Sequence, residues 1–184
     1  MAKLILIRHG QTDWNKQNRI QGALDIPLNH EGKKEAQDLA RELAHVKIDA
    51  VYSSAASCSV STASEIAQIR DIKVKIMPEL NELDHSAWQG LLLKDVKKRY
   101  KKQYALWKSS PDCVAPPKGE TLREAYDRAI SALRKILDRH RDENICIVSH
   151  DIVLSIIKCH LNNISIDKVW DTGSKKAGWE AFDL

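Results

Sequence analysis

KLILIRHGQTDWN, residues 3–15, decides how the rest of the chain is read. Leu4 to Ile7 is a short aliphatic run of the kind buried on both faces of a parallel sheet, and it stops abruptly at Arg8, His9 and Gly10. Residues that follow such a strand emerge at the carboxyl edge of the sheet, where open α/β folds bind their ligands.

Outward from that strand, helical and extended periods alternate. His30 to about His45 has Ala36, Leu39, Ala40 and Leu43 at helical spacing behind a capping Asn29, and DAVYSS (49–54) is a second strand. A small-residue helix over 57–68 and a third strand, IKVKIM, follow. PELNELDHSAWQG is an irregular acidic connection. One helix is expected from about Leu91 to Lys108, with Leu92, Val96, Tyr100, Tyr104 and Trp107 on its buried side and Lys94, Lys97, Lys98, Lys101 and Lys102 on a solvated face. Prolines and a glycine in SSPDCVAPPKG break it. ETLREAYDRAISALRKILDRH is the longest helical pattern. NICIVSH then repeats the opening arrangement, an apolar strand ending in a polar residue and a histidine, with the helix DIVLSIIKCHL behind it. The alternation predicts an α/β three-layer sandwich, a mostly parallel central sheet with helices on both faces. His9 and His150 would leave one sheet edge, and they meet only if their strands are neighbours.

Size and composition bound the answer. The 184 residues, 43% apolar, suit a single domain over 1–184 with a short helical insertion at about 88–118. No apolar run is long enough to span a membrane, and the first residues lack the pattern of a signal peptide, so a cytoplasmic protein without a membrane partner is expected. Cys58, Cys113, Cys146 and Cys159 are scattered, without spacing for zinc or thiol exchange. A formal charge of +4 is too small to argue for nucleic acid. The seven histidines show no metal-ligand spacing, and no Walker loop or dinucleotide fingerprint is present, so neither metal nor cofactor is expected. The oligomeric state stays open, a homodimer included.

RHGQTDWN resembles the R-H-G-x-T-x-x-N signature of the histidine phosphatase superfamily, the phosphoglycerate mutase-like fold. Further segments match in order: QGALDIPLNHEGKKEA, VYSS, LNEL around Glu82, KGET, and IVSHD around His150. Together they cover most of the chain. The segment from Trp88 to Gly119 is shorter than the insertion of the larger mutases, which resembles the phosphatase branch.

The resemblance implies a phosphatase without a metal. In it His9 attacks phosphorus and becomes phosphorylated, Arg8 and His150 hold the transferring oxygens, and Glu82 gives the leaving oxygen its proton, later taking one from water. Elementary chemistry agrees. A neutral imidazole is a nucleophile near pH 7, a guanidinium forks onto two phosphate oxygens, and phosphoryl transfer is mainly positioning and charge stabilisation. Gly10 would allow close backbone approach, and Asn15 would donate an amide hydrogen. Thr12, Gln21 and Gly22 complete the implied binding set. Taken alone, His9 and His150 read equally as packed or capping histidines, and Glu82 as one solvated acid among Glu79, Asp84 and Asp95.

Two positions depart from the family pattern. In VYSSAASCSVSTA the usual second phosphate-gripping arginine is Cys58. A thiol offers one weak donor where a guanidinium offers charge and an aligned fork, and losing a charged contact of this kind costs on the order of 10² to 10³ in rate. Cys58 as the nucleophile of another phosphatase class would need an arginine where Ser64 stands. Cys58 reads instead as an inert small helix residue, and whether its change abolishes turnover or is compensated by Arg19 or Lys118 stays open. The second departure is Asp151 in place of the glycine after the second histidine, read as a side-chain cap of the following helix, or else as an inward charge repelling phosphate. The expected function is a phosphomonoester hydrolase acting on a small phosphorylated metabolite. The alternative is an impaired member that binds a phosphorylated ligand or a protein.

Overall fold

A computed structural model describes residues 2–173 and 177–184. Strands β1 (Lys3–Arg8), β2 (Ala50–Ser53), β3 (Val74–Ile76), β4 (Ile145–Ser149) and β5 (Gly178–Asp183) form one sheet in the order β3-β2-β4-β1-β5. All pairs are parallel except β1 with β5. The helices are α1 (Asp13–Lys16), α2 (His30–Glu42), α3 (Ser57–Gln68), α4 (Leu93–Arg99), α5 (Lys101–Ser109), α6 (Leu122–Arg139) and α7 (Asp151–Leu161).

The opening run is buried on both faces, as its composition requires. Leu4 and Leu6 pack with Leu133 and Ile136 of α6 and Val153 and Ile156 of α7. Ile5 and Ile7 pack on the opposite face with Leu39 and Ala40 of α2 and Ala63 and Ile66 of α3. These are the three layers. Each buried leucine, isoleucine or valine among them contributes roughly 1.5–3 kcal/mol by leaving water. Polar side chains set the helix starts: Asn29 accepts from the Gly32 amide at 2.8 Å, and Thr121 with Glu124 forms a capping box on α6. Among the described residues no helix is long and apolar enough to cross a membrane.

Two elements differ from expectation. The helix predicted over 91–108 is broken at Tyr100 (φ −115°, ψ 35°) into α4 and α5. Tyr100 and Tyr104 each lie with ring centres 6.0 Å from buried Trp88, and Trp107 lies 6.4 Å from it, so the chain bends around one indole instead of running straight past it. Strand β5 carried no sequence signal. It is a half-exposed edge strand, and its apolar residues Trp179, Ala181 and Phe182 do not alternate cleanly.

Where β1 turns toward α2, backbone meets backbone. A Cβ on Gly10 would lie 2.3 Å from the Gly32 carbonyl oxygen, and one on Gly32 would lie 2.0 Å from that of Gln11. Gly10→Ala therefore forces two rigid segments apart, an overpacking cost of about 1–3 kcal/mol. At about 2–4 °C per kcal/mol for a chain of this size, thermal unfolding should show a Tm several degrees lower. An unchanged Tm would refute the contact.

Candidate active site

β1 and β4 are parallel neighbours with Arg8 opposite Ser149, so the next residues, His9 and His150, leave the sheet side by side. Their ring centres are 4.8 Å apart, edge to face. The His9 amide donates to the Ser149 carbonyl at 3.1 Å, and its Nδ1 lies 2.7 Å from the Gly10 carbonyl oxygen. A carbonyl only accepts, so Nδ1 carries the proton and Nε2 keeps the lone pair. Burial is the main reason the His9 pKa falls to about 4, with Arg8 adding to the fall and the Gly10 bond opposing it. The ring is therefore neutral at pH 7. His150 is also held neutral, first by burial and, with the His9 ring uncharged, by the nearby charges of Arg8 and Arg128. Its Nε2 lies 2.9 Å from the Ser54 hydroxyl.

Glu82 reaches the same place from the loop after β3. Its two carboxyl oxygens accept from the Leu83 amide at 2.9 Å and the Ile152 amide, in the first turn of α7, at 3.1 Å. Burial nevertheless raises its pKa to about 7, and the charge of Asp151 adds to the rise. The loop is tied down by Arg128 of α6, which donates to the carbonyls of Glu79, Asn81 and Glu82 and forks onto the Glu120 carboxylate. Arg128 was invisible at sequence level. Only its partner, in KGET, gave a signal.

These groups open into one cavity of about 310 Å³. Of the residues singled out in the sequence, Arg8, His9, Asn15, Gln21, Gly22, Glu82, His150 and Asp151 line it. Asn15 gives its carbonyl oxygen to the Thr12 amide in the cap of α1, which leaves its amide nitrogen as the donor for a ligand. Three proposed residues stand back from the wall. Thr12 bonds Gln21 at 3.0 Å and positions it. The Gly10 amide is taken by Thr62 at 3.1 Å, and the missing Cβ of Gly10 makes room for the Gly32 carbonyl. Cys58 is fully buried behind the histidines, accepting from Gln21 at 3.7 Å. Burial pushes its thiol up to about 11, the wrong direction for a nucleophilic cysteine.

Other expectations are corrected. Asp151 does not cap α7. His150 holds the cap position, and the Asp151 carboxylate lies 4.0 Å from Arg8 inside the cavity. Neither Arg19 nor Lys118 lines the cavity: Arg19 lies over Trp14 and donates to the Gly90 carbonyl, and Lys118 borders an adjoining depression that shares Glu82 with the cavity. The far wall, absent from the sequence proposal, is His85, Trp88, Tyr104, Trp107, Trp170 and Lys108, whose Nζ sits 3.9 Å from the Trp170 ring centre. Tyr104 and Trp107 are thus core and cavity lining at once.

A profile of the Histidine phosphatase superfamily (branch 1) matches residues 4–184. The chain belongs to this superfamily. Among its phosphatase relatives, Phosphoserine phosphatase 1 of Hydrogenobacter thermophilus is 33% identical over 184 residues, all of this chain and 87% of that protein. The Adenosylcobalamin/alpha-ribazole phosphatase of Salmonella typhimurium is 30% identical over 99% of this chain and 90% of its own length. The crystal structure of the alpha-ribazole phosphatase from Shigella flexneri superposes with a TM-score of 0.89 at 28% identity, covering 99% of this chain and 90% of that one. The α/β sheet described above is thus the phosphoglycerate mutase-like fold of histidine phosphatases.

Proposed function

We propose that this protein is a metal-independent phosphomonoesterase that works through a phosphohistidine at His9 on a small phosphorylated metabolite. The observation that carries the reading is geometric: the His9 ring, its Nδ1 proton fixed on the Gly10 carbonyl, lies edge to face against His150, with the buried Glu82 carboxyl in the same cavity. Nε2 attacks phosphorus, and the P–O bond to the leaving alcohol breaks. That oxygen takes its proton from Glu82. In the second half Glu82 takes a proton from water, whose oxygen displaces His9 and releases phosphate. Arg8, Asn15 and His150 donate to the oxygens in transit. The cavity lies at the small end of ligand sites and has aromatic walls, which suits a compact organic alcohol. The relatives named for phosphoserine and alpha-ribazole act on substrates of that size class. A cytoplasmic setting fits the four unpaired cysteines.

The reading is tested by assaying a panel of phosphate monoesters with chelator present and quenching for acid-labile phosphate on the protein. Absence of both would leave the second reading, a binder without turnover. That reading is favoured by Cys58 in the arginine position and by Asp151 placing negative charge 4.0 Å from Arg8. Cys58→Arg discriminates the two. Restoring a guanidinium behind His9 and His150 should raise kcat/KM for p-nitrophenyl phosphate by about 10- to 100-fold. No gain would mean that the present donors already suffice.

A further inference from the structure

Cys58 adds something besides the charge it removes. Its Sγ and one ring nitrogen from each of His9 and His150 lie within 4.8 Å of one another, and all three residues are buried. They arrive from three different elements: the exit of β1, the first turn of α3 and the exit of β4. One sulfur and two imidazole nitrogens are the donor set of tetrahedral zinc, with a fourth position left for water or a ligand oxygen.

We propose that Cys58, His9 and His150 form an inhibitory site for a soft divalent cation, Zn²⁺ in particular, in place of the guanidinium that the family pattern carries there. Zinc bonds of about 2.0–2.3 Å put tetrahedral donor atoms roughly 3.3–3.8 Å apart. The trio therefore has to close by about 1 Å, which side-chain rotation supplies. One ring nitrogen of each histidine is already held by the protein, His9 Nδ1 on the Gly10 carbonyl and His150 Nε2 on the Ser54 hydroxyl. The carbonyl bond fixes the tautomer and aim of His9, as outer bonds do for a ligating imidazole, while the Ser54 hydroxyl can donate or accept and so serves either tautomer of His150. On His9 the remaining atom is Nε2, so a bound cation takes the lone pair that would attack phosphorus. Glu82 and Asp151 line the same cavity and offset the charge of Arg8 for an entering cation. Binding exchanges the Cys58 S–H bond for a Zn–S bond, and the proton leaves to solvent with no change of oxidation state.

The inhibitory consequence rests on the proposed function, while the binding does not, so the test separates them. The metal-free protein is titrated anaerobically with Co²⁺, and Zn²⁺ affinity is obtained by competition. One equivalent of Co²⁺ should give a near-ultraviolet thiolate charge-transfer band together with intense tetrahedral visible bands. Cys58→Ser should lose the charge-transfer band and bind at least about 10- to 100-fold more weakly, the loss seen even when only an outer-shell group is removed. Cys58→Arg should not bind, and Cys113→Ser, at an exposed thiol, should behave as wild type. Stoichiometric Zn²⁺ should stop p-nitrophenyl phosphate turnover, EDTA should restore it, and the arginine variant should be insensitive. A wild-type protein without the thiolate band, or a band that survives in Cys58→Ser, overturns the site. If the band follows Cys58 and no ester is turned over with or without EDTA, the site stands and the phosphatase reading falls.

Discussion

His9→Ala is expected to lower kcat/KM for every phosphate monoester by at least about 10⁴-fold, the scale seen when a covalent nucleophile is removed from an otherwise intact site. The remaining groups would still bind phosphate, since Arg8 and Asn15 line the cavity independently of the ring, so the loss should fall on kcat more than on KM. In wild type, a rapid quench after mixing with a labelled phosphate donor should place acid-labile, base-stable label on the protein, and the variant should carry none. The acid side of the pH profile follows from the same ring. An imidazole attacks only when neutral, and His9 is neutral above a pKa lowered to about 4, chiefly by burial. Falling pH should therefore leave kcat/KM unaffected by His9 until about pH 4. An ordinary surface imidazole would begin to lose activity near 6.5. Activity within tenfold of wild type in His9→Ala, or label found on Cys58, would end the proposal.

How much of this was open to view before any coordinates can be traced residue by residue. Both histidines were legible because Leu4–Ile7 and Ile145–Val148 are apolar runs that end in polar residues at the same sheet edge, whereas Glu82 stood out only through the family resemblance of LNEL. That the two strands are neighbours was not legible, since pairing order depends on contacts between residues 141 positions apart, as between Leu4 and Ile145. The same holds for Arg128, whose guanidinium is one more charge on an amphipathic helix until the fold lays it across the Glu82 loop. Gly10 was seen, but its close contact with Gly32 was not. A missing Cβ signals close approach without saying by what, and here the visitor is the first turn of α2. Lys108 stood only as the last residue of the helix expected over 91–108. The bend at Tyr100, set by packing around Trp88, turns it toward the cavity and leaves Lys94, Lys97, Lys98, Lys101 and Lys102 exposed.

The second large effect belongs to Glu82, where burial and backbone amides act in opposition. The amides of Leu83 and Ile152 favour the carboxylate, yet burial wins and the pKa rises to about 7, so the group exists in both protonation states near neutrality. That is what one residue needs if it is to give a proton in the first half-reaction and take one in the second. Glu82→Gln keeps the size and loses both abilities. Alkyl phosphates, whose alkoxide leaving groups need the proton, should lose about 10² to 10⁴ in kcat/KM. p-Nitrophenyl phosphate, whose leaving group departs unaided, should still phosphorylate His9, but hydrolysis of the intermediate then lacks its base. The expected record is a burst of one equivalent of p-nitrophenol followed by slow turnover, with phosphohistidine accumulating. The sign with pH is also fixed. The first half needs the protonated acid, so wild-type kcat/KM for alkyl esters should decline as pH rises through about 7, and this limb should vanish in the glutamine variant. Because the amide places an N–H donor against one of the two backbone amides, its Tm should be measured alongside, and formate rescue of Glu82→Ala should restore turnover without restoring those bonds. A glutamine variant that shows no burst and keeps the alkaline limb would assign the proton transfer to another group.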